Sequence, residues 1–523
     1  MMLWQLVAFD YPMRLGQNPH IFMNSKSLLI CALFSCVVLY GFADERRPNI
    51  LFIVADDLGW ADTNPYGSTF HETPNISRLA KGGMMLKNFH STSPVCSPAR
   101  ASLMTGLYAE RLGMIQPACH IPTISLEATL PERGWPHKKV IAPRGTTRLD
   151  TVFPTYAKVL RDHGYLTAHY GKWHLGDEPY SPLEHGFDVD VPHTKSHGPK
   201  GTYFGPKKYS DTFTLKAGEH LEDRMADEAV KFIHANKDRP FLLNYWAFSV
   251  HSPYFAKEEL LEKYRAKAKG FAADAAQRNP IYAGMVETFD SNVGRLLDAL
   301  EEAGIADNTI VVLTSDNGGT VRSGYKEDAY WGNGTKEEIL DTPITSNAPL
   351  KGSKGTIYDG GTACPFFVVW PGTVKPGSRS TGYFSGADIF PTFVEMAGIE
   401  MPDTIELDGV SQVDLLKGGE NARDTLYGYW PNYIEKNGSI PAAWIRRGDY
   451  KLTRFFCDGP NGEHRYTLHN LANDIGEAND LAARYPEKVQ AMAQLMEQHF
   501  DSVGAVTPVI NPSYDPVAVA PVK

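Results

Sequence analysis

Four apolar segments of this sequence each end in side chains that can bind a metal ion or transfer a proton. These side chains are carboxylates, an amide, imidazoles and an amine. They are Asp56, Asp57, Lys172, His174, His251, Asp316 and Asn317. One such cluster means little, because every strand must end in something polar. Four clusters together predict one shared catalytic or binding site.

The first and last clusters supply three carboxylates and one amide that together suit a divalent cation. Asp56, Asp57, Asp316 and Asn317 offer only hard oxygen donors, which favour Ca²⁺ or Mg²⁺ over Zn²⁺. The residues alone leave a second interpretation open. In that interpretation Asp56 caps the following helix, and Asp316 and Asn317 form a turn.

A third candidate feature is Cys96, which stands at the start of a helical run within residues 93–108. Pro98 lies near the first helical position, and Arg100 lies in the first turn. Free backbone N–H groups and the positive end of the helix dipole favour an anion at such a position, and Arg100 adds a fixed positive charge. The alternative is that Cys96 is a buried structural cysteine.

These distant residues need a scaffold that brings them together, and five apolar runs predict one. Such runs are typical of parallel strands that helices cover on both faces. The predicted strands are residues 49–54, 165–170, 241–248, 309–314 and 365–370, with helices at 151–163, 223–236 and 281–303. Open parallel sheets bind ligands at the carboxyl ends of their strands. An α/β fold would therefore gather the polar clusters at one edge.

The character of the sequence changes after residue 420. Short aromatic segments at 425–430, 443–445 and 450–456 precede an amphipathic stretch at 486–500, which predicts a small antiparallel sheet covered by a helix. We expect a catalytic α/β domain over residues 44–420 and a small α+β subdomain over 421–505. Residues 506–523 are rich in Pro and Val and are predicted to form a tail.

The N-terminus contains one strongly apolar run, residues 28–43. It is short for a membrane span of about 20 residues and suits the core of a signal peptide. Lys26 precedes it, and the small residues Gly41 and Ala43 favour cleavage before Asp44. We therefore expect residues 1–43 to be a leader, with Met23 as an alternative start, and the protein to be secreted or periplasmic. Retention as an N-terminal anchor is the alternative.

Composition excludes several classes of function. The chain has 523 residues, of which 42% are hydrophobic and 21% charged, with a formal net charge of −10; this is an ordinary globular composition. The negative charge and the lack of a Lys/Arg-rich run argue against a nucleic-acid partner, and no membrane span is expected once the leader is removed. Six cysteines, with no CxxC pair, predict neither a disulfide framework nor a thiolate metal site.

Several of these residues lie in segments that resemble the conserved blocks of the type I sulfatases, the arylsulfatase-like enzymes of the alkaline phosphatase superfamily. The segment CSPARASLMTG, which begins at Cys96, is similar to the first signature of that family. GYLT at 164–167 with GKWH at 171–174 resembles the second signature. The other similar blocks are residues 48–57, 315–318 and 350–355 with 360–361. All of them occur in the family's order, and the resemblance covers residues 47–484.

The resemblance implies an alkaline-phosphatase-like fold, with a mainly parallel sheet between helices and a smaller C-terminal antiparallel sheet with a helix. It also implies that a maturation enzyme oxidises Cys96 to formylglycine. One Ca²⁺, with Mg²⁺ as the alternative, would be bound by oxygen atoms of five residues: Asp56, Asp57, the modified Cys96, Asp316 and Asn317. The sulfate pocket would be lined by Arg100, Lys172, His174, His251 and Lys354.

The implied reaction is hydrolysis of a sulfate monoester through a covalent sulfate on the hydrated formylglycine. Asp316 would help to take the proton of the attacking hydroxyl. His251, assisted by Lys354, would protonate the leaving alcohol, and His174 would deprotonate the second hydroxyl to expel the sulfate. These roles follow from the family resemblance and not from spacing.

Residues 178–208 and 320–349 are rich in polar residues, Gly and Pro, and are predicted to be loops that determine specificity. Their cations and aromatic side chains favour a sulfated carbohydrate over a simple aryl sulfate as the natural substrate. Two alternatives stay open. One is a phosphonate or phosphodiester hydrolase of the same superfamily, and the other is an inactive protein that binds sulfated glycans.

Overall fold

An eight-stranded sheet forms the centre of the protein. The computed structural model describes residues 47–322 and 332–519. In chain order the strands are β1 (Asn49–Ala55), β2 (Met84–His90), β3 (Val140–Ile141), β4 (Leu166–Gly171), β5 (Val189–Val191), β6 (Lys207–Lys208), β7 (Thr214–Leu215), β8 (Phe241–Trp246), β9 (Thr309–Ser315), β10 (Phe366–Val369), β11 (Ser378–Ser385), β12 (Thr425–Trp430), β13 (Ala442–Arg447), β14 (Tyr450–Phe455), β15 (Arg465–Asn470) and β16 (Val509–Ile510).

The large sheet has the order β11-β2-β10-β9-β1-β8-β4-β5. Its central strands β9, β1, β8 and β4 are neighbours and run parallel to one another. Strand β10 runs antiparallel to both β9 and β2. The expected mainly parallel sheet is therefore confirmed. The four strands that end in polar clusters are these four neighbouring parallel strands.

Helices cover both faces of the sheet. They are α1 (Pro74–Gly82), α2 (Cys96–Thr105), α3 (Tyr156–Asp162), α4 (Leu221–Asn236), α5 (Glu258–Ala268), α6 (Pro280–Glu302), α7 (Asp359–Thr362), α8 (Ile389–Met396), α9 (Val413–Leu416) and α10 (Pro486–Val503). Single helical turns lie at Asn64–Tyr66, Leu183–His185, Ala306–Asn308, Glu337–Asp341, Gly386–Asp388, Glu435–Asn437 and Pro460–Gly462.

Strand β1 shows why the sheet needs both helical layers. All seven of its residues are buried, and alternate side chains point to opposite faces. Leu51 and Ile53 join one apolar cluster, which contains Phe289 of α6. Phe52 points to the other face, where its ring lies 5.0 Å from that of Phe393 of α8. The continuous apolar sequence of β1 is the consequence of this burial on both sides.

The C-terminal part forms the expected smaller antiparallel sheet with a helix. Strands β12, β13, β14 and β15 pair in sequence order, and α10 packs Met496 and Phe500 against Tyr429 and Leu452. The strand β15 was not predicted. Beyond α10, strand β16 pairs with β3, which attaches this part of the tail to the α/β layer. The division at residue 420 stays a prediction.

The structure corrects several of the sequence-based elements. Strands β2 and β11 were missed, because Lys87 and Arg379 interrupt their apolar character. The short edge strand β5 was also missed, and it lies within residues 178–208, which were predicted to be a loop. The helix predicted over residues 151–163 is shorter and begins at Tyr156. Its start is set by Thr155, whose side chain accepts a hydrogen bond from the backbone N–H of Lys158 at 3.2 Å, as an N-cap residue does.

The predicted leader, residues 1–43, lies outside the described residues. Across the described ranges 47–322 and 332–519, the structure has no helix that combines the length and the apolar character of a membrane span.

Candidate active site

The ends of β9, β1, β8 and β4 bring the predicted site residues into one buried centre. Around it lie the first turn of α2 and the loop that precedes α7. Nζ of Lys172 lies 2.6 Å from Oδ2 of Asp56. Nζ of Lys354 lies 2.8 Å from Oδ2 of Asp57, and its backbone N–H is held by the carbonyl oxygen of Gly319 at 3.0 Å.

Cys96 lies between the acidic and the basic side chains of this centre. Its Sγ atom is 3.4 Å from Oδ1 of Asp56, 4.0 Å from Oδ1 of Asp57 and 3.2 Å from Nζ of Lys354. Burial raises the pKa of Cys96 to about 12, although Lys172 and Lys354 oppose that effect. The side chain is therefore a neutral thiol at neutral pH, which is a poor nucleophile.

The acidic part of the centre has the donors that a hard cation prefers. Ligand atoms of Asp56, Asp57, Cys96 and Asp316 all lie within 4.8 Å of one another. Asn317 adds a buried Oδ1 atom that has no hydrogen-bond partner among the described residues. The three carboxylates and the amide oxygen fit Ca²⁺ or Mg²⁺, whereas the sulfur of Cys96 is a soft donor. Asp56 caps no helix here, since the next helical turn begins at Asn64.

The carboxylates differ in protonation because their neighbours differ. Burial raises the pKa of Asp56 to about 7, with a further contribution from Asp316 and Asp57, while Lys172 acts in the opposite direction. Burial also acts to raise the pKa of Asp57, but Lys354, His251 and Lys172 outweigh it and hold the pKa well below the usual range. The centre therefore needs positive charge to keep all of its carboxylates ionised.

Arg100 connects the helix of Cys96 to the acidic centre. Its Nε–H donates to Oδ2 of Asp316 at 2.8 Å, and its Nη1–H donates to the carbonyl oxygen of Lys172 at 2.8 Å. Arg100, Asp316 and Lys172 are all buried. The guanidinium thus positions α2 relative to the ends of β9 and β4.

Two predicted catalytic histidines face the centre from different strands. The Nδ1 atom of His251 lies 2.6 Å from the carbonyl oxygen of Ser252, and its Nε2 atom lies 3.8 Å from Oδ2 of Asp57. Both ring nitrogens of buried His174 lack a hydrogen-bond partner among the described residues. The His174 backbone is held by Ser97, whose hydroxyl donates to its carbonyl oxygen at 2.7 Å.

The sequence did not predict the residues that hold the His251 loop. Oε1 of Glu222 in α4 accepts hydrogen bonds from the backbone N–H groups of Phe248 and Ser249, at 3.0 and 2.9 Å. The hydroxyl oxygen of Tyr203 lies 2.7 Å from the carbonyl oxygen of Phe248 and 2.9 Å from that of His251, so its proton can be donated to either. The sequence contained one indication of this role: Glu222 is an acidic residue among the positions of α4 that are buried.

A cavity of about 850 Å³ opens above the centre. Asp57, His251 and Lys354 line its floor, and Lys436 and Asn437 approach from the turn after β12. Of the predicted specificity loops, 320–349 contributes residues 320–322 to the lining, while its residues 323–331 lie outside the described part. In the other loop, the ring of His197 lies 5.6 Å from that of His174. The contribution of the small C-terminal sheet was not predicted.

Comparison with known proteins supplies a family context for this geometry. Residues 48–399 match the family model described as Sulfatase, and residues 353–503 match the one described as N-sulphoglucosamine sulphohydrolase, C-terminal. The chain is 29% identical to N-acetylgalactosamine-6-sulfatase of Homo sapiens, over 89% of this chain and 88% of that protein. It is 30% identical to arylsulfatase A of Homo sapiens, over 87% of this chain and 88% of that protein.

A solved structure shows the same fold. The crystal structure of Ps i-CgsB in complex with k-i-k-neocarrahexaose is 28% identical in sequence and superimposes with a TM-score of 0.67. The match covers 87% of this chain and 93% of that chain.

Proposed function

Because this chain belongs to the sulfatase family of sulfuric ester hydrolases, we propose that its substrate is a sulfate ester of a carbohydrate. We further propose that Cys96, converted to formylglycine, supplies the nucleophile and that one Ca²⁺ is bound beside it. The observation that carries this proposal is the position of Sγ of Cys96, 3.4 Å from Asp56 and 3.2 Å from Lys354. A nucleophile formed there would meet both the metal ligands and the cations that an anionic ester requires.

The choice of a carbohydrate rests on relatives and on the cavity. Two similar proteins are an N-acetylgalactosamine-6-sulfatase and Ps i-CgsB, whose structure contains a neocarrahexaose. The cavity of about 850 Å³ lies in the usual range for a ligand site, about 300–1,000 Å³, and has room for far more than one sulfate group. Mg²⁺ is the alternative metal.

Asp56, Asp57, Asp316, Asn317 and an oxygen of the modified residue 96 would hold the cation. When bound, it would supply positive charge against the sulfate oxygens, and the formylglycine hydrate would supply a hydroxyl nucleophile. The remaining work falls to the side chains of this chain, which balance charge and move protons.

Three buried or half-buried cations, Arg100, Lys172 and Lys354, would offset the charge of the ester. Asp316 would take the proton of the attacking hydroxyl. His251, assisted by Lys354, would donate a proton to the leaving alcohol. His174 would then accept the proton of the second hydroxyl, and sulfate would be released. The free ring nitrogens of His174 support this role.

A substrate panel tests the proposal on protein in which mass spectrometry has verified the conversion of residue 96. It contains sulfated oligosaccharides, an aryl sulfate, and the phosphate ester of the same phenol. We expect kcat/KM to be highest for a sulfated oligosaccharide. Faster turnover of the phosphate ester would favour the phosphonate or phosphodiester hydrolase. Binding of the sulfated sugars without any hydrolysis would favour the inactive glycan-binding protein.

We also propose that a formylglycine-generating enzyme acts on this chain and that residues 1–43 direct its export. Sequencing the N-terminus of the mature protein tests the second part. A mature chain that begins near Asp44 would support it, whereas a chain that retains residues 28–43 would favour an N-terminal anchor.

A further inference from the structure

The cavity above the active centre carries a strong excess of positive charge. Its described lining contains one carboxylate, Asp57, and the cations Arg322, Lys351, Lys354 and Lys436. Asp57 is already paired with Lys354. The chain as a whole has a formal net charge of −10, so this excess is a local property of the cavity.

Lys436 is the cation of this lining that comes from the C-terminal sheet. It lies in the turn Glu435–Asn437. Its neighbour Asn437 ties this turn to the active centre, because Nδ2 of Asn437 donates to the carbonyl oxygen of Lys354 at 3.1 Å. The position of Lys436 relative to Lys354 is therefore set by a direct contact between the two loops.

Within the described residues the charges that act on the ammonium group of Lys436 are those of Lys354 and Asp57, and no hydrogen bond is among its interactions. The adjacent acid does not neutralise it, since the carboxylate of Glu435 pairs with Lys138 and His137 outside the cavity. Desolvation by the cavity wall and the nearby ammonium of Lys354 lower the pKa of Lys436. An anion placed between the two lysines would relieve that repulsion.

Two other cations of the lining, Lys351 and Lys354, are less available. Nζ of Lys351 donates to the carbonyl oxygen of Glu477 at 3.0 Å and lies 4.2 Å from the ring centroid of Tyr358. Nζ of Lys354 is already in contact with Oδ2 of Asp57 and Sγ of Cys96 in the active centre. Lys436 and Arg322 are therefore the more available cations of the described lining, and Lys436 is the one that the contact of Asn437 holds next to Lys354.

We propose that Lys436 binds a second anionic group of the substrate, a sulfate ester or a carboxylate on the sugar next to the one that loses its sulfate. This inference rests on the proposed function and makes Lys436 a determinant of specificity for multiply charged glycans. Because the side chain is exposed, the attraction is screened by salt, and we expect it to change KM more than kcat.

The test uses wild type, Lys436→Gln, Lys436→Arg and the control Lys375→Gln, each with residue 96 verified as converted. Lys375 is exposed and lies outside the cavity lining. Three disaccharides carry the same cleavable sulfate: one has no other charge, one has a second sulfate, and one has a carboxylate on the neighbouring sugar. Of the two doubly charged disaccharides, the one with the lower KM shows whether the second anion is a sulfate or a carboxylate.

We expect the KM of wild type to be about tenfold lower for a doubly charged disaccharide than for the one with no other charge. This difference should become smaller at high salt. Lys436→Gln should abolish that preference, while Lys436→Arg and Lys375→Gln should keep it. A wild type without any preference, or a preference that survives in Lys436→Gln, would overturn the assignment of Lys436 but not the sulfatase reaction. If wild type hydrolyses none of the three disaccharides, the proposed carbohydrate function is overturned, and this inference with it.

Discussion

The Nε–H group of Arg100 donates to Oδ2 of Asp316 at 2.8 Å, although 216 positions separate the two residues in the sequence. Arg100 lies in the first turn of α2, and Asp316 directly follows β9. Both side chains are buried. This ion pair joins the helix that carries the candidate nucleophile to the strand end that carries the candidate metal ligands. The active centre depends on that connection.

Substitution of Cys96 by Ala should abolish sulfate ester hydrolysis while leaving the fold intact. Loss of a nucleophile lowers kcat by about a thousandfold or more, and the smaller side chain removes little packing from this polar centre. The measurement is kcat on a sulfated sugar, together with the mass of the peptide that contains residue 96. Cys457→Ser, in the turn that follows β14, is the control and should stay active. An unmodified thiol in fully active wild type would contradict the formylglycine hypothesis.

Substitution of His251 by Ala should slow hydrolysis most for poor leaving groups. General-acid catalysis raises the rate by about a hundredfold to ten-thousandfold. The anion of a phenol with a low pKa is stable enough to leave without a proton. We therefore expect a large loss of kcat with a sugar sulfate and a small loss with a nitrophenyl sulfate. The comparison is His174→Ala, which should slow both substrates alike because it acts after the alcohol has left. Equal losses for both substrates in His251→Ala would argue against the general acid.

Removal of divalent cations with EDTA, which chelates both Ca²⁺ and Mg²⁺, should lower both activity and thermal stability. The carboxylates of Asp56, Asp57 and Asp316 lie close together, so a bound cation would relieve their repulsion. Saturation at a hundredfold excess over Kd stabilises a protein by about 2.7 kcal/mol. The measurement is Tm as a function of added Ca²⁺ or Mg²⁺, with Asn317→Ala expected to need more Ca²⁺. A Tm that responds neither to EDTA nor to added Ca²⁺ or Mg²⁺ would count against the metal site.

Glu222 should make the protein less stable as the pH rises from about 4.5 to 8. Burial raises the pKa of Glu222 to about 8 in the folded protein, although hydrogen bonds from the backbone of Ser249 and Phe248 oppose it. Its pKa is about 4.3 in an unfolded chain. The stabilising contribution is therefore complete below the unfolded pKa and is lost as the pH passes the folded pKa.

The variant Glu222→Gln should lack this pH dependence. Since one pKa unit is worth about 1.4 kcal/mol, wild type should lose on the order of a few kcal/mol more than the variant across that range. Urea unfolding at several pH values measures the difference, and Glu259→Gln, an exposed glutamate, is the control. Parallel curves for wild type and Glu222→Gln would show that the carboxylate does not titrate in this range.

The sequence alone determined the features that depend on neighbouring residues. The apolar runs predicted the strands that became β1, β4, β8 and β9 because a strand buried on both faces must be apolar throughout. The polar residues that follow them, such as Asp56 and Asp316, could be assigned to one edge because parallel strands place their carboxyl ends together. The motif around Cys96 indicated the family, since its residues are contiguous.

The tertiary structure alone decided which distant segments meet. Nothing near Lys436 in the sequence indicates that it lines the cavity of Lys354, because that contact arises only from the packing of the C-terminal sheet on the α/β layer. Glu222 holds the loop of His251 through backbone groups, so the sequence could mark it as an acid among buried positions but could not identify its partners. Strand β2 lies inside the sheet, next to the edge strand β11, although it contains Lys87, because pairing with β10 and β11 stabilises it. Local pattern specifies elements, but contacts across hundreds of residues are set by how the elements pack.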